Sequence, residues 1–124
     1  MTSKKILVVD NHPVVLKFMS NLITKNGHEV KTAPDGLAAL KIIKDSPPDI
    51  AFIDLVMPNI SGVGLISIVK KEYPHLKIIA MTGYGDQPGA LASEAEADVV
   101  LFKPIDLFKI ENTVSELINP KEEK

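Results

Sequence analysis

The stretch Ile50-Ala-Phe-Ile-Asp-Leu-Val-Met-Pro58 decides the fold of this chain. Its first four residues, 50–53, are all apolar, as expected of a strand that is buried between two helical layers. Asp54 ends the apolar run, and Met57-Pro58 turns the backbone out of the strand direction. Open α/β sheets bind their ligands at the carboxyl ends of the strands, so Asp54 is a candidate functional residue. On this stretch alone, Asp54 could equally be a cap of the following loop or helix.

The composition indicates one ordinary soluble domain. With 124 residues the chain is long enough to bury about two-thirds of its unfolded surface in a single core. Charged residues make up 24% and the net charge is −2, a balance that predicts neither nucleic-acid binding nor a membrane-binding patch. Cysteine is absent, which excludes disulfides, thiolate nucleophiles and thiolate metal ligands. No long apolar segment follows the first residues, so we expect no signal peptide, no membrane span and a cytoplasmic location.

Short apolar runs alternate with helical patterns along the chain. Strands are predicted at 6–9, 28–33, 50–53, 77–82 and 99–102. The first helix should begin at Pro13 and stop at Gly27, and Asp106 should cap the last one. Between these helices, others are predicted at 37–46, 63–73 and, more weakly, 90–97. Five strands alternating with five helices predict an α/β fold, a doubly wound parallel sheet with helices on both faces. The domain is expected to span 1–119, followed by a charged tail at 120–124.

Four polar residues, Asp10, Asp54, Thr82 and Lys103, stand at the ends of buried strands. The carboxyl ends of parallel strands meet at one edge of a sheet, so these side chains should converge, which caps alone would not explain. Two carboxylates about 5 Å apart repel by roughly 3 kcal/mol at an effective dielectric near 20, and Mg²⁺ or the Lys103 ammonium would offset this repulsion. Such a site suits phosphoryl transfer: Asp54 on the middle strand would attack the phosphorus in line, and Thr82 would donate its hydroxyl to a phosphoryl oxygen.

In these residues the chain resembles the receiver domains of the response regulators of two-component signalling. The resemblance runs from Lys5 to about Ile118, and it rests on Leu-Val-Val-Asp10, Asp-Gly-Leu-Ala-Ala-Leu40, Pro-Pro-Asp-Ile50, Asp54-Leu-Val-Met-Pro58 with Gly62, Met-Thr82-Gly-Tyr-Gly and Phe-Lys103-Pro104. It implies the flavodoxin-like strand order 2-1-3-4-5. It also implies that Asp54 accepts a phosphoryl group from a histidine kinase or a phosphotransfer protein, with Thr82 as the switch hydroxyl and Lys103 as the phosphate-binding lysine.

The resemblance further implies a Mg²⁺ site made of Asp10, Asp54 and the backbone carbonyl of Val56. Asn11 stands where the family usually has a second acidic residue, and it offers a carbonyl oxygen but no charge. Val100 stands where many members carry the switch tyrosine or phenylalanine. In this family the surface of the fourth helix, fifth strand and fifth helix often contacts a downstream protein, and we expect the same here.

Two other functions stay open on the sequence. The departures at Asn11 and Val100 would fit a degenerate receiver that acts as a phosphorylation-independent interaction domain. A flavodoxin-type electron carrier shares the fold class, but it needs a phosphate-cradling loop after the first strand, and Asp10-Asn11-His12-Pro13 has the opposite charge. His12 could contact the metal shell or a partner, or be only a loop residue near the helix start.

Overall fold

The computed structural model describes residues 3–57, 60–83, 97–103 and 105–118. Five strands form one sheet, and in chain order they are β1 (Lys5–Val9), β2 (Glu29–Ala33), β3 (Ile50–Asp54), β4 (Lys77–Thr82) and β5 (Val99–Phe102). Every neighbouring pair is parallel, and the spatial order is β2-β1-β3-β4-β5. This topology confirms the predicted doubly wound sheet and places β2, the most polar strand, at an edge.

The helices of the described residues are α1 (Pro13–Lys25), α2 (Gly36–Asp45), α3 (Gly62–Glu72) and α4 (Leu107–Ile118). Local chemistry fixes several of their ends. The Asp106 side chain accepts a hydrogen bond from the Lys109 amide at 2.9 Å, as predicted, and Gly27 has the left-handed φ of 88° that lets the chain turn after α1. The predicted helix at 90–97, apart from its last residue, and the tail at 120–124 lie outside the described residues.

Apolar side chains of the sheet alternate between two cores, because successive residues of a strand point to opposite faces. One core contains Leu7, Ile53 and Ile78 of the strands and is covered by α2 and α3. The other contains Val8, Phe52 and Ile79 and is covered by α1 and α4. Within the described ranges, no helix is long and apolar enough to cross a membrane. Because helices cover both faces of the sheet, polar side chains can gather at the ends of the strands.

Two apolar residues differ from the predicted helical stripes. The helical spacing predicts that Phe18 and Met19 both face inward in α1, but Phe18 is 47% exposed, and Met19 is buried together with Ile23. The same spacing predicts that Leu37 and Ile43 face inward in α2, but only Ile43 is buried, together with Ala39, while Leu37 is 65% exposed. The periodicity therefore identified the helices but misplaced part of the face that each one buries.

Candidate functional site

The carboxyl edge of the sheet gathers the predicted polar residues. Asp10 directly follows β1, while Asp54 and Thr82 are the last residues of the adjacent strands β3 and β4. All three are buried, with relative exposures of 0%, 3% and 0%. Carboxylates are rarely so buried unless they are paired, so this edge requires a positive charge near Asp10 and Asp54.

Lys103 supplies that charge. Its Nζ atom donates to Asp10 Oδ2 at 2.9 Å and to Asp54 Oδ2 at 3.2 Å, so one ammonium group bridges both carboxylates. The backbone N–H of Lys103 donates to the Thr82 carbonyl at 2.7 Å, which fixes the start of the side chain at the end of β4. The site therefore contains two buried negative charges and one positive charge, which sum to −1.

The remaining carboxylate oxygens accept backbone N–H groups. The His12 amide donates to Asp10 Oδ1 at 2.9 Å, and the Val56 amide donates to Asp54 Oδ1 at 3.2 Å. The His12 ring lies at the same oxygen, with Nδ1 2.9 Å from Asp10 Oδ1. The sequence left the role of His12 open, and the structure places its ring within the site. Asn11 is exposed, and within the described ranges its side chain makes no hydrogen bond.

The environment shifts the pKa values of Asp54 and Lys103. Burial raises the pKa of the Asp54 carboxyl and the Asp10 charge adds to this, whereas the Val56 N–H and Lys103 lower it without cancelling the rise. Burial alone would lower the pKa of Lys103, but its hydrogen bond to Asp10 and the charges of both carboxylates outweigh burial and raise it. Lys103 is therefore held in its charged form, and Asp54 is a carboxylate of increased basicity.

Gly62, which belongs to the family-like motif after Asp54, is required by a close approach of two backbones. A Cβ atom at this position would overlap the carbonyl oxygen of Asp54 and lie 2.5 Å from the Leu55 Cα atom. The Gly62 N–H donates to the Leu55 carbonyl at 3.1 Å. Glycine thus lets α3 begin directly against the end of β3, which holds Asp54 in place.

The site offers ligand atoms of a kind that divalent cations bind. Asp10, His12 and Asp54 each present one such atom, and these atoms all lie within 4.8 Å of one another. Each carboxylate oxygen has two lone pairs, so the hydrogen bonds from Lys103 and from the backbone amides leave acceptor positions on both carboxylates for a cation. Two carboxylate oxygens fit Mg²⁺, the ion implied by the family resemblance. The roles of the Val56 carbonyl and of Asn11 as ligands stay predictions.

A cleft that the sequence did not reveal adjoins Lys103. It has a volume of about 630 Å³, and its lining is almost entirely apolar, formed by Val14, Val15, Phe18, Met19 and Ile105 together with the polar residues Lys103 and Asp106. Val14 and Phe18 are 79% and 47% exposed. The exposed apolar side of α1 therefore shares a cleft with Lys103, the residue that contacts both buried carboxylates.

Comparison with known proteins identifies the class to which this site belongs. The family model of the response regulator receiver domain matches residues 6–115, and the chain belongs to this family. It is 31% identical over 123 residues to a probable transcriptional regulator of Cyanophora paradoxa, covering 98% of this chain but only 51% of that protein. It is 27% identical to the sporulation initiation phosphotransferase F of Bacillus subtilis, covering 95% and 96% of the two chains. A receiver domain crystal structure from Clostridium thermocellum superposes with a TM-score of 0.85 at 31% identity, covering 93% and 94%.

Proposed function

We propose that this domain is a phosphoacceptor switch in which Asp54 receives a phosphoryl group from a phosphohistidine of a histidine kinase or a phosphotransfer protein. The observation that carries the proposal is the bridge from Lys103 Nζ to both Asp10 and Asp54. A lysine placed in this way neutralises the carboxylates before the reaction and can move to a phosphoryl oxygen after it. Membership of the receiver domain family supports the same role.

In the proposed reaction a carboxylate oxygen of Asp54 attacks the phosphorus in line. The new O–P bond forms as the P–N bond to the donor imidazole breaks, and that imidazole leaves with the electron pair and takes up a proton. The raised pKa of Asp54 indicates a more basic carboxylate, and Lys103 lies where it would bind the transferred oxygens. Thr82, buried at the neighbouring strand end, would donate its hydroxyl to another oxygen and so connect phosphorylation to β4.

The site also has the donor set for Mg²⁺, which would supply positive charge against the phosphoryl oxygens. Asp10 and Asp54 would hold the ion, together with the Val56 carbonyl predicted from the family pattern. The Val56 amide donates to Asp54 Oδ1, which orients that carboxylate with respect to the loop carrying the carbonyl. We also propose that the domain itself slowly hydrolyses the acyl phosphate on Asp54.

Two surfaces are proposed for partners. The phosphate donor would dock on the apolar side of α1, because Lys103, which contacts the reacting carboxylate of Asp54, lines this cleft. A downstream protein would bind the surface formed by the fourth predicted helix, β5 and the last helix, α4; on the described part of this surface, Phe102 and Phe108 are 54% and 70% exposed. The chain spans about half the length of the transcriptional regulator of Cyanophora paradoxa that it matches, so any activity of a longer protein is only proposed. The domain boundary at 1–119 and the cytoplasmic location are also proposals.

A phosphorylation-independent interaction domain is the less favoured function. The departures at Asn11 and Val100 motivated it, but Val100 packs against the core of α2 and α3 as an ordinary strand residue. Asp10, Asp54 and Lys103 are assembled with short contacts, which a domain without phosphate chemistry would not need.

The test is phosphorylation with acetyl phosphate and Mg²⁺, followed by peptide mass spectrometry. The expected result is one phosphoryl adduct on Asp54 that is absent from Asp54→Asn and present at full yield in Asp45→Asn. Asp45 is a suitable control because it is an exposed aspartate at the end of α2. An adduct that persists at full yield in Asp54→Asn would refute the proposal.

A further inference from the structure

His12 occupies an unusual position for the first residue before a helix. It is the N-cap of α1, but its side chain makes no capping hydrogen bond. Instead the ring turns back to the end of β1, where Nδ1 lies 2.9 Å from Asp10 Oδ1. Asp10 is fully buried, whereas the His12 side chain is 62% exposed, so the imidazole stands between the buried carboxylate and solvent.

We infer that His12, rather than Asn11, is the residue of this loop that ligates the metal. Its Nδ1 atom would be a third ligand beside the carboxylates of Asp10 and Asp54. The site would therefore bind a transition-metal cation such as Co²⁺ more tightly than two carboxylates alone would. The inference rests on the proposed function, because it concerns the metal site of that same reaction.

The spacing of the ligand atoms supports this assignment. Two adjacent ligands of an octahedral ion with bonds near 2.1 Å are separated by about 3.0 Å, and ligands on opposite sides by about 4.2 Å. Asp10 Oδ1 and His12 Nδ1 are 2.9 Å apart, the distance of an N–H···O hydrogen bond and also close to the separation of two adjacent ligands, so a cation would bind here by replacing the Nδ1 proton. No two of the three candidate atoms are more than 4.8 Å apart, so Asp54 can complete the set through a small side-chain movement.

The chemistry of the ligands decides which cation binds more tightly when an imidazole is added to the site. Imidazole binds first-row transition ions such as Co²⁺, Ni²⁺ and Zn²⁺ well, while Mg²⁺ prefers carboxylate, carbonyl and water oxygens. A neutral ring adds no negative charge, so His12 contributes little to the attraction of Mg²⁺. Asn11, exposed and uncharged, does not replace the missing carboxylate. The ring would bind through Nδ1 and carry its hydrogen on Nε2.

The experiment measures binding of Co²⁺ and of Mg²⁺ alone, by isothermal titration calorimetry of tag-free protein without a phosphate donor. The variant is His12→Asn, which keeps a residue favoured at the N-cap and so preserves the helix start. The control is His75→Asn, which removes an exposed imidazole between α3 and β4 at the opposite edge of the sheet. We expect His12→Asn to weaken Co²⁺ binding by about tenfold or more. Its Mg²⁺ affinity should stay within about threefold, since oxygen ligands dominate that ion.

Ligation has a spectroscopic signature that an indirect effect lacks. Proton NMR of the Co²⁺-loaded protein should show a strongly shifted, exchangeable imidazole N–H resonance, lost in His12→Asn and kept in His75→Asn. Unchanged Co²⁺ affinity in His12→Asn would overturn the inference. Tighter binding would overturn it too, because it would mean that His12 competes with the cation for Asp10. Phosphorylation of Asp54 is measured separately with Mg²⁺, so the phosphoacceptor proposal can stand while this inference fails; if neither ion bound, the inference and Mg²⁺ assistance would both fall.

Discussion

Replacing Lys103 by methionine should destabilise the metal-free protein strongly, because one ammonium group neutralises two buried carboxylates. The contacts of 2.9 and 3.2 Å correspond to gross attractions of about 6 and 5 kcal/mol at an effective dielectric of 20. Desolvation of the ions offsets most of this, and breaking a buried pair typically costs 3–5 kcal/mol. The Lys103 side chain is 23% exposed, so water can partly replace its ammonium group. We therefore expect a loss of about 3 kcal/mol in the free energy of unfolding, the lower end of that range.

The loss should depend on pH in a direction that the pKa shifts determine. The folded protein holds the Asp54 pKa above 3.8, so between that value and the folded pKa the folded state binds more protons than the unfolded one. The stability associated with Asp54 is therefore fully present below the unfolded pKa and is lost as the pH rises through the folded pKa. Lys103→Met should raise the folded pKa further and extend that window upward. The free energy of unfolding of the variant should consequently differ less from that of the wild type at about pH 5 than at about pH 7.5.

Urea unfolding without divalent ions measures this effect, with Lys41→Met as the control because Lys41 is exposed on α2. The expected loss corresponds to a melting point lower by roughly 10 °C. In an Asp54→Asn background the cost of Lys103→Met should fall by about 1 kcal/mol or more, since one of the two carboxylates is already neutral. A variant within about 0.5 kcal/mol of wild type at neutral pH, or no coupling to Asp54, would show that the bridge does not stabilise the fold.

Three further predictions concern the surroundings of the bridge. Gly62→Ala should cost about 2–3 kcal/mol in urea unfolding because its Cβ overlaps the Asp54 carbonyl. Gly64→Ala in the same helix should be neutral or stabilising by up to about 1 kcal/mol, and equal losses would contradict the clash. Asn11→Asp should tighten Mg²⁺ binding by about 1–2 kcal/mol and slightly destabilise the metal-free fold. Equal affinities in a Mg²⁺ titration would mean that Asn11 already ligates the ion adequately or that position 11 does not reach it. Asp35→Ala removes the carboxylate that accepts the amide at the start of α2 and should lower the free energy of unfolding by about 1 kcal/mol, and a loss below about 0.3 kcal/mol would mean that water replaces this cap.

The convergence of the site could be predicted because two independent rules point to the same edge. Apolar runs marked the strands well enough that 77–82 and 99–102 coincide with β4 and β5. A parallel sheet then places the ends of all its strands together, whatever lies between them in sequence. The sequence alone therefore predicts that Asp10 and Lys103, which are 93 residues apart in the chain, lie at one site.

The partners of individual side chains could not be predicted in the same way. The sequence left open whether Lys103 contacts Asp54 or only an incoming phosphoryl group, because a long flexible side chain reaches several positions. The orientation of the His12 ring depends on how α1 begins at Pro13, because the ring can either cap the helix or contact Asp10, and in the structure it contacts Asp10. Phe18 shows the same limit for packing, since the helical period gives a stripe without fixing which neighbouring residue faces the sheet.

The charge of the site connects its resting structure to its proposed reaction. Before phosphorylation, Asp10 and Asp54 contribute −2 and Lys103 contributes +1, so the resting site carries −1 and Lys103 is drawn to both carboxylates. A phosphoryl group on Asp54 replaces one negative charge by about two, since a phosphoryl group bears about −1.5 to −2 at neutral pH. The site would then carry close to −2, which a single divalent cation neutralises. Asn11 fits this arithmetic, because an aspartate there would leave the phosphorylated, metal-bound site negative and would attract the cation more strongly in the resting state. We therefore interpret Asn11 as reducing metal affinity before phosphorylation rather than abolishing phosphate chemistry.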